Sequence, residues 1–167
     1  NLRLGSGVAA VQKMRSAGIN VAVGTDGCTC ADALNMFEAT RLACTLTRVH
    51  GPDYERWLGS ADALLMATES GARALGWSGA IGRIAPGYKA DIVMLDLDTT
   101  TYWPLNDAVN QIVFAENGGG VRDVMIGGRM VVVDGEVVSV DMPKLRAEVE
   151  RAIARHGPAR AAAQDLV

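Results

Sequence analysis

The sequence predicts an α/β fold that changes character near its middle, and three observations carry that prediction. Before Trp77, helical periodicity is interrupted by one short run rich in β-branched residues, 19–23, which ends in Gly24-Thr25-Asp26-Gly27. After Trp77, short apolar runs are separated by the two-residue signals Gly127-Gly128 and Asp134-Gly135. Near Met142 an amphipathic stretch begins and leads into a tail rich in alanine and arginine. The first pattern is helix, loop, strand, turn and helix, a piece of βα repetition. The second is an antiparallel meander, because glycine-containing two-residue loops match the twist of paired strands.

Val8, Val11 and Met14 recur at helical spacing after Ser6 and Gly7, and Gly18 stands in the stop position. Residues 19–23 read as a buried strand running into a polar turn. The next helix is expected from Asp32, as N-cap, to Val49, with Met36, Ala39, Ala43 and Leu46 on one face and Gly51-Pro52 as the break. Ser60 is expected to cap a helix carrying Ala61, Leu64, Leu65, Thr68, Ala72 and Leu75 on one side, closed by Gly76. Strands are expected over residues 90–95, 121–126, 129–133 and 136–140. The last helix, from Met142 with Pro143 in its first turn, places Leu145, Val149, Ala152 and Ile153 together and should end at Gly157-Pro158.

Composition bounds the partners. The 167 residues are 49% hydrophobic and 21% charged, so a packed core is feasible and disorder is not expected. A net charge of -3 argues against nucleic acid or an anionic membrane surface as partner. Three cysteines make no disulfide framework, and with no secretory leader and no long apolar run the chain reads as cytoplasmic. The opening at Asn1, without methionine and directly before a strand-to-helix turn, reads as a start inside a domain.

Asp26 is the candidate catalytic residue. It sits where a strand meets a loop, at the carboxyl end, which is where parallel α/β folds place active groups. Gly24 and Gly27 beside it permit close backbone approach. The alternative for Asp26 is an Asx turn or a helix-leading cap. Cys28 and Cys30, with Cys44 and His50 downstream, resemble part of a zinc site, but paired zinc ligands are usually spaced by two or more residues. Cys44 falls beside a buried helix face, where a free cysteine packs as a small apolar group. His50 and His156 both stand at helix ends, where a cation meets the helix dipole. The glycine-rich stretch 117–120 precedes a strand rather than opening a helix, so it reads as a loop and not a phosphate cradle.

Three stretches resemble the amidohydrolase superfamily, in the branch of metal-dependent deaminases and chlorohydrolases. Residues 1–7 (Asn-Leu-Arg-Leu-Gly-Ser-Gly) are similar to the segment after the seventh barrel strand. Residues 20–27, ending in Gly24-Thr25-Asp26-Gly27, are similar to the eighth strand with its terminal aspartate. Residues 82–93 (Gly-Arg-Ile-Ala-Pro-Gly-Tyr-Lys-Ala-Asp-Ile-Val) are similar to the re-entry into the family's small β-domain. The hairpins around Gly127-Gly128 and Asp134-Gly135 match the next hairpins of that β-domain.

The resemblance implies the C-terminal part of a (β/α)8 hydrolase barrel followed by part of a small β-sandwich and a C-terminal helix. The expected divisions are 1–77 for the last strands and helices of an incomplete barrel, 78–140 for the β-domain segment, and 141–167 for the helix and tail. It implies that Asp26 is a metal ligand that also takes a proton from metal-bound water, in a parent enzyme using a divalent metal, zinc or iron. Such a metal brings the pKa of bound water to about 7, and a carboxylate then shuttles the proton toward the leaving group.

The expected substrate is a small heterocycle, with deamination of a nucleobase-like or triazine-like ring as first choice and hydrolysis of another C–N or C–Cl bond second. The family's HxH pair is absent, and where members often carry Ser-Asn-Asn after Asp-Gly this chain has Cys28-Thr29-Cys30. A zinc site takes about three protein ligands. The chain alone is therefore expected to hold no catalytic metal and to be inactive, and to require either self-association or a missing N-terminal segment. Two competing readings are a non-catalytic scaffold or binding module derived from the same fold, and an unrelated α/β enzyme using Cys28 and Cys30.

Overall fold

The computed structural model describes residues 2–31 and 33–164, with side chains described as far as Arg155. The expected capping role of Asp32 and the side-chain role of His156 lie outside the described residues. In chain order the elements are α1 (Val11–Ser16), α2 (Met36–Leu46), α3 (Ser60–Ala67), α4 (Glu69–Ala74), β1 (Ile92–Leu95), α5 (Ala108–Phe114), β2 (Val121–Ile126), β3 (Arg129–Val133), β4 (Glu136–Val137) and α6 (Met142–Gln164). Short 3-10 turns at Thr47–His50 and Tyr54–Arg56 join α2 to α3.

The helices pack around one core. Cys44 of α2, Leu58, Ala63 and Met66 of α3, and Val113 of α5 are buried together, with Val11, Val21, Val23 and Leu64 packed against them. Each small or apolar side chain there faces a helix neighbour, which is what an apolar stripe on each helix requires. Arg15 of α1 reaches Asp62 of α3 at 2.7 Å. The Arg48 guanidinium lies 5.1 Å from the Trp57 ring and 5.4 Å from the Phe114 ring, and so bridges the end of α2 to α5.

The sheet is a four-stranded antiparallel meander in the order β1-β2-β3-β4. Strands β2 and β3 occupy the expected residues. Both intervening turns have positive φ at their two central positions, 55° and 80° at Gly127-Gly128 and 48° and 78° at Asp134-Gly135, the geometry of type I′ turns. Two aspartates fix these turns. Asp91 Oδ1 accepts from the Gly127 amide at 2.6 Å, and Asp123 Oδ1 accepts from the Asp134 amide at 3.0 Å. The Arg122 guanidinium beside Asp123 and the Asp134 amide hold the Asp123 carboxyl below the usual carboxylate range.

The segment that leads into β1 is anchored to the helices. A side chain at Gly82, where φ is 88°, would meet Thr68 O at 3.0 Å and the α-carbon of Glu69 at 3.1 Å. Arg83 beside it forms a two-point ion pair with Glu69, at 3.1 and 2.6 Å.

Several boundaries differ from expectation. Residues 19–23 form no ladder among the described residues. Their stretch is tied to the helices instead, with the Val23 amide on Met66 O at 3.1 Å and the Asn20 side chain on Ser70 O at 3.0 Å. A strand is defined by its partner, and no described strand lies beside this one. The helix expected from Asp32 to Val49 starts at Met36 and gives way to the 3-10 turn after Leu46. Leu34 at φ 46° turns the chain, and Asn35 caps α2.

The helix expected to run to Leu75 breaks at Thr68, whose hydroxyl donates back to Leu64 O at 2.8 Å and whose backbone leaves helical angles. Gly59 occupies the N-cap position in place of Ser60, whose hydroxyl meets Asn110 Oδ1 instead. The first helix spans Val11–Ser16 only and leaves out Val8, while Gly18 closes it with φ 76° as expected. Strands β1 and β4 are shorter than expected.

Helix α6 continues through Gly157-Pro158 to Gln164, carried by the strongly helix-forming alanines beyond that pair. Its expected apolar face is formed but uncovered among the described residues, with Leu145, Val149 and Ile153 exposed. No described helix is long and apolar enough to cross a membrane.

Candidate functional site

The turn after residues 19–23 carries Asp26, and its backbone is unusual. Asp26 adopts φ 62°, a left-handed conformation that non-glycine residues rarely take and that aspartate tolerates better than most. Its carboxylate is exposed and accepts from the Gly27 amide at 2.7 Å. The Cys30 thiol hydrogen-bonds the same carboxylate, and that bond, with slight desolvation and the nearby negative charge, pushes the thiol up from its ordinary pKa.

Asp26 lines an open concavity of about 590 Å³. Its wall also includes Val21, Val23 and Thr25 on the extended stretch, Cys30, and Asn35 and Glu38 at the start of α2. The bond comes from the amide one residue on, not two as an Asx turn requires, and it leaves the carboxylate acceptor capacity toward the concavity.

The other candidates separate from this site. Cys44 is fully buried, with its thiol 3.0 Å from Leu58 O, and burial pushes its pKa up. It is a packing residue, as its helix position implied. Cys28 is exposed, and His50 ends the 3-10 turn before Gly51. Among the described residues no three His, Cys, Asp or Glu side chains come together as a group that could hold a metal ion. Asp26 offers one oxygen ligand, so the described residues do not by themselves fit a divalent metal, which takes about three protein ligands in a catalytic zinc site.

A second carboxylate, not singled out from the sequence, is bonded at both of its oxygens. Glu116 is 1% exposed, and Oε1 accepts from the amides of Asn117, Gly118 and Gly120 at 2.9, 2.7 and 3.1 Å. Oε2 accepts from the Tyr102 hydroxyl at 2.7 Å. Burial alone would raise the Glu116 carboxyl, but the Tyr102 hydroxyl and the three amides outweigh it and hold the group below its ordinary value. Burial, together with the Glu116 charge, pushes the Tyr102 hydroxyl far up. The glycine-rich stretch 117–120 is thus an anion nest filled by the chain's own carboxylate. The available signal was a glutamate directly before consecutive amides free of bulky side chains.

With this geometry in view, comparison with known proteins defines the class. Residues 1–131 match the model of the amidohydrolase family, and the chain belongs to that family. Its solved relatives include deaminases and chlorohydrolases. A zinc-bound adenosine deaminase from Xanthomonas campestris superposes with a TM-score of 0.86 at 35% identity, over 93% of this chain and 35% of that one. A zinc complex of atrazine chlorohydrolase from Arthrobacter aurescens gives 0.83 at 29% identity, over 91% and 34%. In sequence, the 5-methylthioadenosine/S-adenosylhomocysteine deaminase of Acetivibrio thermocellus is 41% identical over 150 residues, covering 90% of this chain and 35% of the relative. The chain therefore spans about a third of the length of the relatives it matches.

Proposed function

We propose that this chain is the C-terminal part of a metal-dependent hydrolase that deaminates an adenosine-type nucleoside, and that Asp26 is its contribution to the catalytic centre. In this reading residues 1–77 are the last strands and helices of a (β/α)8 barrel, and residues 78–140 belong to a small β-domain. The divalent-metal ligands other than Asp26 come from outside this chain, either from a preceding segment or from another polypeptide. The observation that carries the reading is the place of Asp26, at the tip of an extended apolar stretch and on the wall of the concavity.

On this chain's side the chemistry is proton handling. A carboxylate at that tip can take a proton from an attacking water and pass it to a departing amine, which is the work of a general base followed by a general acid. The exposed setting of Asp26 keeps it open to such a partner. Relatives named as deaminases of 5-methylthioadenosine, S-adenosylhomocysteine and 5'-deoxyadenosine support a purine nucleoside as first choice. The chlorohydrolase neighbour keeps triazine hydrolysis as the second. The local bond from the Gly27 amide to the Asp26 carboxylate favours the competing scaffold reading.

The test is ammonia release from 5'-deoxyadenosine and 5-methylthioadenosine, and chloride release from atrazine, by the longest natural polypeptide containing residues 1–167, with the 167-residue chain alone assayed beside it. Ammonia from the longer protein and none from the chain alone is the expected result. Turnover or stoichiometric zinc in the chain alone would overturn the division of labour. An inactive longer protein with zinc bound would favour the scaffold.

A further inference from the structure

Helix α2 forms one wall of the concavity and is held at its N-terminus by a single side chain used at both ends. Asn35 Oδ1 accepts from the amides of Phe37 and Glu38 at 2.9 and 3.2 Å, an ordinary helix cap. Its Nδ2 donates to the carbonyl of Asn117 at 2.7 Å, 82 residues away. That carbonyl belongs to the turn organised by buried Glu116, so the acceptor is itself fixed in place. Further along α2, Arg41 donates Nε to the Val113 carbonyl at 3.3 Å and Nη2 to the Glu116 carbonyl. The helix is thus fastened to the end of α5 at two points. The first of these lies where Asn35, Glu38 and Ala39 line the same concavity as Asp26.

We propose that Asn35 is a positioning residue for the substrate site: its amide latches the first turn of α2 to the Asn117 carbonyl and so sets the spacing between the α2 wall and the Asp26 loop. A cap needs only an acceptor at this position, which aspartate or serine supplies as well. The donor half of the asparagine adds nothing to the cap and is used wholly on the latch. The proposal rests on the reading of the concavity as the place where substrate binds.

Asn35→Asp separates the two roles. The variant keeps the capping oxygen and places a negative charge favourably at the helix N-terminus, but sets a carboxylate oxygen against the Asn117 carbonyl. In the full-length enzyme the expected result is a melting temperature close to that of the unchanged protein and a KM for 5'-deoxyadenosine raised roughly ten-fold. The kcat should change by less than about two-fold, the pattern of lost binding rather than lost chemistry.

Amide hydrogen exchange gives a second readout that does not depend on activity. Phe37 and Glu38, on the untethered first turn of α2, should exchange faster although their cap is kept, while Gly118 and Gly120, bonded to Glu116, keep their protection. Asn35→Ser, a good cap too short to reach Asn117, should behave alike and replaces the aspartate variant if that one folds poorly. Unchanged exchange and unchanged KM would overturn the latch. Faster exchange with unchanged KM would overturn its positioning role. Faster exchange in a protein whose unaltered form releases no ammonia would leave the latch standing and remove the function assigned to the concavity.

Discussion

Glu116 and Asp26 both lie beside glycine-containing stretches, and their surroundings differ sharply. Glu116 is enclosed by three amides and a tyrosine hydroxyl, so every bond shown to its carboxylate comes from a fixed donor. Asp26 takes one amide and one thiol and otherwise faces an open concavity. A saturated carboxylate organises the chain around it, whereas an unsaturated one at a strained backbone position can accept a proton from something else. Strain of that kind is tolerated at functional sites because the surrounding structure imposes it.

Three substitutions or conditions press on this contrast. The largest effect is expected at Asp26. Asn at position 26 tolerates the left-handed backbone but cannot take up a proton, so Asp26→Asn should lower kcat in the full-length enzyme by roughly 10² to 10⁴. Its urea midpoint should stay close to the original, and steady-state kinetics beside urea unfolding would show both. Equal activity in the variant would place Asp26 with Glu116 as a structural group.

A smaller effect, on stability alone, is expected at Gly120. A β-carbon there would overlap Glu116 Oε2 and stand 3.2 Å from the Tyr102 ring, so Gly120→Ala should destabilise by about 1–3 kcal/mol, the usual penalty of overpacking. Denaturant titration measures it.

The smallest is a pH effect. Because the folded Glu116 carboxyl is held below its ordinary value of 4.5, its stabilising contribution is complete above that value. It is lost as pH falls from there through the depressed folded value. Unfolding free energies measured from pH 7 down to pH 3 should therefore fall more steeply for the unchanged protein than for Glu116→Gln. Parallel curves would show that the nest is indifferent to charge.

Legibility from sequence divides along a similar line, between local and distant causes. The Gly127-Gly128 and Asp134-Gly135 turns were legible because positive φ at consecutive positions is a local demand that these residues meet. The turn at Gly24-Thr25-Asp26-Gly27 was legible from its glycines, although the run before it forms no strand among the described residues. The start of α2 was not, because Asp32 and Asn35 both offer a capping oxygen and the choice depends on Leu34 turning at φ 46° and on Asn117 far along the chain. Helix α5 went unread although Asp107 caps it through the Asn110 amide, since its seven residues are too few to show a period. The run 19–23 has the composition of a strand, but a ladder needs a neighbour, and composition does not say where that neighbour is. Glu116 was missed because its partners include Tyr102, brought in by a loop.

The three thiols differ in one further way that can be put to use. Cys28 is exposed and Cys30 half-buried, whereas Cys44 on α2 is sealed against Leu58, Ala63, Met66 and Val113. An alkylating reagent should mark Cys28 first, Cys30 more slowly because its thiol is pushed up, and Cys44 only when the helices part. The delay before the third label appears then clocks the opening of the core directly, with no dye or engineered reporter added to the molecule.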